Sequence, residues 1–385
     1  MRREKSLPLI PDFLWAIQRR MRFICVLRMI LTLKFNFYKN KASIPSDCSN
    51  PIGARMIPSQ ISSVLATLIA IRQPVFLWGP PGVGKSQLVA EAARALNLLL
   101  VDIRAVLLDP VDLRGLPRIR EDGRAIWCPP SFLPDANDKS SGLLFLDELN
   151  AAPPLVQAAC YQLILDRRIG EYCLPEGWTV IAAGNGEGDR SVTHRMPTAL
   201  ANRMVHLTCD VDLDDWLVWA HGANIRAEVC AFLKYRPKLL HDFDPGSKAK
   251  AFASPRSWEF LSRILDAEPC EDAMEEVFAG TVGPGAAAEF LGFLHIWRQL
   301  PSVEDVLSSP QQAVVPEEPA ACYAICEALA LKACDATFEA LASYAGRLPT
   351  EFGVLLMRDA LAVDASLSAH PAFAVWAEAN AHVLV

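Results

Sequence analysis

Eight consecutive residues of this 385-residue chain have the types and spacing to hold a polyphosphate: Gly79-Pro80-Pro81-Gly82-Val83-Gly84-Lys85-Ser86, a full GxxxxGK[ST]. Glycines let backbone N–H groups turn inward around phosphate oxygens, the lysine reaches the β and γ oxygens, and the hydroxyl can ligate Mg²⁺. A helix opening at Lys85 would add its positive N-terminal end. Further along, the apolar run Leu143-Leu144-Phe145-Leu146 ends on Asp147 and Glu148. Asp147 can hold the magnesium, and Glu148 can orient and polarise an attacking water, a division that suits phosphoryl transfer to water. The run Thr179 to Ala183 ends in Gly184-Asn185, where an amide at a strand tip could contact the γ-phosphate. An arginine at that phosphate would neutralise transition-state charge. Arg203, just before an apolar strand, is the first choice, Arg256 in Ser254-Pro255-Arg256-Ser257 the second, and Arg190 and Arg195 are further candidates.

These groups need elements to carry them. Ile61, Val64, Leu65, Leu68 and Ile69 recur at helical spacing behind Ser59, which predicts an amphipathic helix from Pro58. Pro74 to Trp78 reads as a strand, Lys85 to Leu96 as a helix, and Leu98 to Ile103, Leu143 to Leu146 and Thr179 to Ala183 as further buried strands. Pro154 to Asp166 reads as a helix entered through proline, and Arg168 to Trp178 as a small hairpin. Short apolar runs alternating with helices predict a parallel sheet covered on both faces. After Cys209 the periodicity is helical throughout, with segments at Trp216 to Trp219, Ala227 to Leu233, Ser257 to Leu265, Ala286 to Trp297, Ala320 to Leu331 and Ala336 to Tyr344. Gly280-Thr281-Val282-Gly283-Pro284-Gly285 looks like a second phosphate loop, but no lysine follows it and it lies between helices, so it reads as a break.

Composition divides the chain in the same way. The net charge of −7 is the sum of a basic stretch 1–55 at +8, a near-neutral 56–208 at −1 and an acidic 209–385 at −14. The apolar run Phe23 to Phe37 is too short and too charged to span a bilayer, which takes about 20 mostly apolar residues. No cleavage site follows it, and 1–55 is expected to be a poorly ordered extension, with a chain beginning at Met56 able to fold. Eleven cysteines without a CxxC pair, and seven histidines without metal spacing, indicate ordinary thiols in a reducing, cytoplasmic setting. The acidic C-terminal part disfavours nucleic acid and suits a basic protein partner.

The order of these motifs resembles that of AAA+ ATPases. The hairpin at 168–178 and the loop Leu108-Asp109-Pro110-Val111-Asp112-Leu113-Arg114-Gly115 make it similar to the MoxR-like, dynein-related branch. The resemblance implies an α/β P-loop domain with helix-sandwiched parallel sheet over 56–208, an all-helical lid over 209–300 and a helical C-terminal region over 301–385. It implies ATP and Mg²⁺ as ligands, with nucleotide contacts from Gly79, Pro80, Pro81, Gly82, Val83, Gly84, Lys85, Ser86 and Gln87, and magnesium on Ser86 and Asp147. Glu148 would activate water, Asn185 sense the γ-phosphate, Arg203 act as the finger and Arg256 as the second sensor. It also implies a homo-hexamer, a von Willebrand factor A domain partner and a protein client. A metal chelatase or carboxylase activase motor, or a nucleotide-dependent subunit of a restriction or defence system, shares the same core.

Overall fold

The computed structural model describes residues 54–135, 140–186, 196–268 and 270–381. The chain falls into two compact units, one spanning Pro51–Gln299 and the other holding Leu300–Val385. Arg190 and Arg195 lie outside the described residues, as does nearly all of the basic extension.

A six-stranded, all-parallel sheet organises the first unit. Its strands are β1 (Ala54–Met56), β2 (Val75–Trp78), β3 (Leu99–Arg104), β6 (Gly142–Asp147), β9 (Trp178–Gly184) and β10 (Val205–Cys209), in the spatial order β1-β10-β2-β9-β6-β3. Helices α1 (Pro58–Ala70) and α2 (Lys85–Ala95) cover one face, and α4 (Pro154–Asp166) covers the other. The strand period of two explains why the runs read as continuously apolar. Val75, Leu77, Leu143, Phe145, Ile181 and Ala183 pack toward α1 and α2. Phe76, Trp78, Leu144, Leu146, Val180 and Ala182 pack toward α4. Both sets are buried, and a buried polar residue such as Thr179 is accommodated with its hydroxyl near a helix carbonyl, that of Ile69 at 3.4 Å.

Two short antiparallel hairpins leave the sheet. One pairs β4 (Leu116–Ile119) with β5 (Ala125–Cys128), and the other pairs β7 (Arg168–Ile169) with β8 (Tyr172–Cys173). The second is the expected hairpin, and it leads directly into β9. The expected loop at 108–115 differs: Pro110–Arg114 is a short helix, α3, entered through an Asp109 capping box and ended by Gly115 at φ 81. The first unit also starts earlier than expected. Ala54 and Arg55, assigned by sequence to the extension, form the edge strand and pair with Leu207 and Thr208.

After Cys209 the described chain is helical. In the first unit α5 (Thr198–Ala201) is followed beyond β10 by α6 (Leu213–Gly222), α7 (Ala227–Tyr235), α8 (Pro255–Asp266), α9 (Met274–Val282) and α10 (Pro284–Arg298). Phe232, Trp258, Phe290 and Phe293 form their aromatic core, with centroid separations of 5.1 to 5.6 Å. Gly283 at φ 89 ends α9 and Pro284 starts α10, so the glycine-rich 280–285 stretch is a break between helices. The second unit packs α11 (Val303–Ser308), α12 (Pro319–Ala330), α13 (Phe338–Ala345), α14 (Thr350–Val363) and α15 (Pro371–Ala379) around Ile325, Leu329, Phe338, Leu341 and Leu356. Among the described residues no helix is long and apolar enough to cross a membrane.

The edge strand is testable. A chain beginning at Met56 loses two of the three β1 residues, whereas one beginning at Pro51 keeps them. We expect the Met56 form to be less stable by about 1–2 kcal/mol, the worth of one or two ladder hydrogen bonds. Equal denaturation midpoints would show that β1 contributes nothing.

Candidate active site

All six strands run the same way, so their C-terminal ends form one edge, where ligands of open parallel sheets bind. In register, Trp78 at the end of β2 lies beside Gly184 at the end of β9, and Leu146 beside Ala182. The strand carrying Asn185 therefore stands between the strand feeding the glycine-rich loop and the strand ending in Asp147. That order brings the residues singled out by sequence together.

The loop turns from β2 into α2 through Gly82 at φ 84 and Gly84 at φ 93, backbone settings open chiefly to glycine. The turn delivers Lys85, only 8% exposed, to the centre of the edge. Its ammonium donates to the carbonyl oxygens of Gly79 at 2.7 Å and Pro80 at 3.1 Å, and to Asn185 Oδ1 at 3.0 Å. One residue on, Ser86 Oγ donates to Asp147 Oδ2 at 2.8 Å, while Glu148 N donates to the other carboxylate oxygen at 2.9 Å. A hydroxyl and a carboxylate at this separation are the hard oxygen donors that suit Mg²⁺, so the residues present fit the ion. On β3, the Asp102 carboxyl is pushed above its ordinary range by burial first and by the charge of Asp147 second. Behind the loop, burial pushes the Cys209 thiol up to about 11, with the Lys85 charge pulling the other way.

Glu148 is exposed and holds φ 55, a left-handed setting unusual for a non-glycine residue. The strand therefore ends abruptly, and the carboxylate faces solvent beside the Ser86–Asp147 pair rather than continuing into the sheet.

A cavity of about 560 Å³ opens beside the loop, between the sheet domain and the helices of the same unit. Gly82, Val83, Gly84 and Gln87 line one side, Pro255 and Arg256 another. The remainder comes from Pro58 and Ser59 at the start of α1 and from Asp212, Asp215, Trp216 and Trp219 at and within α6. Two indoles, a proline and a few polar groups suit a flat heteroaromatic ring. Sequence reading missed this half of the site. Trp216 and Trp219 mark only a helix there, and no local pattern says that α6 meets α1, which the Ser59 N to Asp215 Oδ2 bond of 2.8 Å does.

Arg256 is at the cavity, but the link it makes to the loop is by backbone: its N–H donates to Gly82 O at 3.3 Å, and His241 Nε2 donates to Pro81 O at 3.3 Å. Arg203 is exposed and lies apart from that cavity, on a separate opening with Asn202 and His206. Its surroundings are ordered by His206, which accepts from Trp78 Nε1 at 2.9 Å and donates to Ala201 O at 2.7 Å.

Gly82 makes the loop's fit to the helices measurable. A Cβ there would lie 2.7 Å from Ser254 Oγ, whereas one at Gly123, also at positive φ, would meet nothing. Gly82→Ala should destabilise by about 1–3 kcal/mol and weaken nucleotide binding, with Gly123→Ala near the low end and binding as before. Thermal melts and nucleotide titrations of the two variants read this directly.

Residues 74–204, from β2 to the residue after Arg203, match the AAA domain (dynein-related subfamily) family. No curated protein sequence matches the chain. Among solved structures, NtrX of Brucella abortus in complex with ADP is 16% identical, with 98% of this chain and 76% of that one covered and a TM-score of 0.38. Its complex with ATP gives 15%, 98%, 76% and 0.37. The RuvB Holliday junction branch migration motor of Thermotoga maritima gives 15%, 66%, 75% and 0.34. The family match and the geometry of the glycine-rich loop bear on the activity. Residues 74–204 are thus similar to AAA domains of the dynein-related kind, and the geometry of the glycine-rich loop and the strand ends makes the protein an ATPase.

Proposed function

We propose that the protein couples ATP hydrolysis at this edge to the remodelling or maturation of a partner protein, as a MoxR-like AAA+ ATPase. The observation that carries the hydrolytic part is the pair of hydrogen bonds by which the consecutive residues Lys85 and Ser86 meet Asn185 and Asp147, groups brought from three separate elements. Lys85 and the loop N–H groups from Gly79 to Ser86, with Gln87 beyond them, bind the phosphates, and the Trp216 and Trp219 side of the cavity takes the base. Ser86 and Asp147 would hold Mg²⁺, which when bound would supply positive charge to the phosphates.

Glu148 orients the attacking water and takes its proton, for which its exposed position suits it. Asn185 holds the γ-phosphate and that water in line. Arg256 reports the nucleotide to the helices that carry it. Arg203, lying away from the cavity of its own chain, serves the site of a neighbouring subunit, which makes a closed ring, with six copies as the family resemblance implies, the working form. The hairpin β7–β8 and the motif order support the MoxR-like reading, with a von Willebrand factor A domain protein as partner and a protein as client.

Lys85→Ala should abolish nucleotide binding. Glu148→Gln should retain ATP and lose turnover by about 10²- to 10⁴-fold, the usual contribution of a general base. Full hydrolysis by Glu148→Gln would overturn the assignment. Mixing Arg203→Ala chains with Glu148→Gln chains should recover part of the activity, because an interface that takes Glu148 from an Arg203→Ala chain and Arg203 from a Glu148→Gln chain is intact, while the reciprocal interface carries both substitutions. Recovery in no mixture would argue against a shared site. Affinity capture with the Glu148→Gln form identifies the client.

A further inference from the structure

Asn150 takes no part in the chemistry above, yet it is 3% exposed and sits where three elements meet. It lies two residues after Glu148, in the short 3-10 turn Leu149–Ala151 that follows the left-handed Glu148. Its Nδ2 donates to the backbone carbonyl of Asn185 at 2.7 Å. Gln157 on α4 in turn donates to the carbonyls of Asn150 at 3.4 Å and Ala152 at 2.9 Å, and accepts from Tyr161 Oη at 2.5 Å. The turn carrying Glu148 is thus tied to helix α4 by Gln157 and to the tip of β9 by one buried amide, that of Asn150.

The other end of that amide, Oδ1, is buried and has no hydrogen-bond partner. Reversing the amide would not help, since it would set Oδ1 against the Asn185 carbonyl, acceptor against acceptor. A buried acceptor left unpaired is a standing cost, and it persists where a geometry is being held. The surroundings are built to admit it: a Cβ on residue 184 would lie 2.1 Å from Asn150 Oδ1, so the side chain fits only beside a glycine.

We propose that Asn150 is a positioning residue. It fixes Asn185 by its carbonyl so that the Asn185 amide faces Lys85 and the γ-phosphate, and it ties that setting to the turn that carries Glu148. The inference rests on the roles proposed for Asn185 and Glu148.

Asn150→Asp keeps the shape and removes both N–H donors. Its carboxyl, ionised, opposes the Asn185 carbonyl; protonated, it can donate to it. Relative to the unsubstituted chain at each pH, kcat for ATP hydrolysis should fall by about 10- to 100-fold at pH 8, as for outer-shell partners elsewhere, and recover toward pH 6. Nucleotide affinity should stay within about twofold. In an Asn185→Ala background the same substitution should cost little more, because the group it acts through is gone. Gly184→Ala, which displaces the amide without changing it, should show the same loss of kcat with affinity retained, and serves if Asn150→Asp does not fold. A pH-independent loss, equal losses of kcat and affinity, or effects of Asn150→Asp and Asn185→Ala that multiply would overturn the proposal. Full turnover by Asn185→Ala would overturn the role of Asn185 and this inference with it; a loss in Asn185→Ala with multiplying effects overturns this inference alone.

Discussion

The site depends on one buried cation. Lys85 is nearly inaccessible, and an ammonium removed from water without partners is too costly to keep. Here it is met by two carbonyl oxygens of its own loop and by the Asn185 amide. The first two partners require the loop to curl back on itself, which is why Gly82 and Gly84 hold positive φ. The third requires β9 to end beside β2, a matter of sheet order. Positive charge held ready at this edge suits a residue whose task is to neutralise a developing anion.

Around that cation the site is divided among elements that come from distant parts of the chain. The Ser86–Asp147 pair joins the start of α2 to the end of β6 across the intervening strand. Strands lie about 4.8 Å apart, so Asp147 stands roughly two spacings from β2 and is reached only because α2 begins over the sheet edge. The turn after Glu148 is stabilised from below by Gln157, and the tip of β9 by Asn150. The helical part of the first unit closes the arrangement from the other side through the Arg256 backbone N–H and the His241 ring Nε2, which donate to the loop carbonyls.

Much of this is legible in one dimension because the interactions concerned are local or periodic. The glycine-rich loop, the acids after β6 and the amide after β9 are each a strand end followed by a polar residue, and the apolar runs are continuous because both sheet faces are buried. Departures come where a weak local signal is decided by tertiary partners. Ala54 and Arg55 have no strand pattern of their own and become a strand only by pairing with β10. Pro110–Arg114 is too short to show periodicity and becomes a helix through its Asp109 cap.

The amino-acid sequence alone determined the reaction class, since a phosphate loop and a strand-end acid pair carry their chemistry in residue type and spacing. It also determined that a buried parallel sheet precedes an all-helical remainder. Tertiary structure decided what depends on which strands are neighbours: that Asn185 meets Lys85, that Trp216 and Trp219 line the cavity beside Gly82, that Arg203 lines a separate opening, and that Asn150 donates to the Asn185 carbonyl. The physical reason is that strand order and helix docking are set by the packing of whole faces, and no short stretch of sequence states which distant face it will meet.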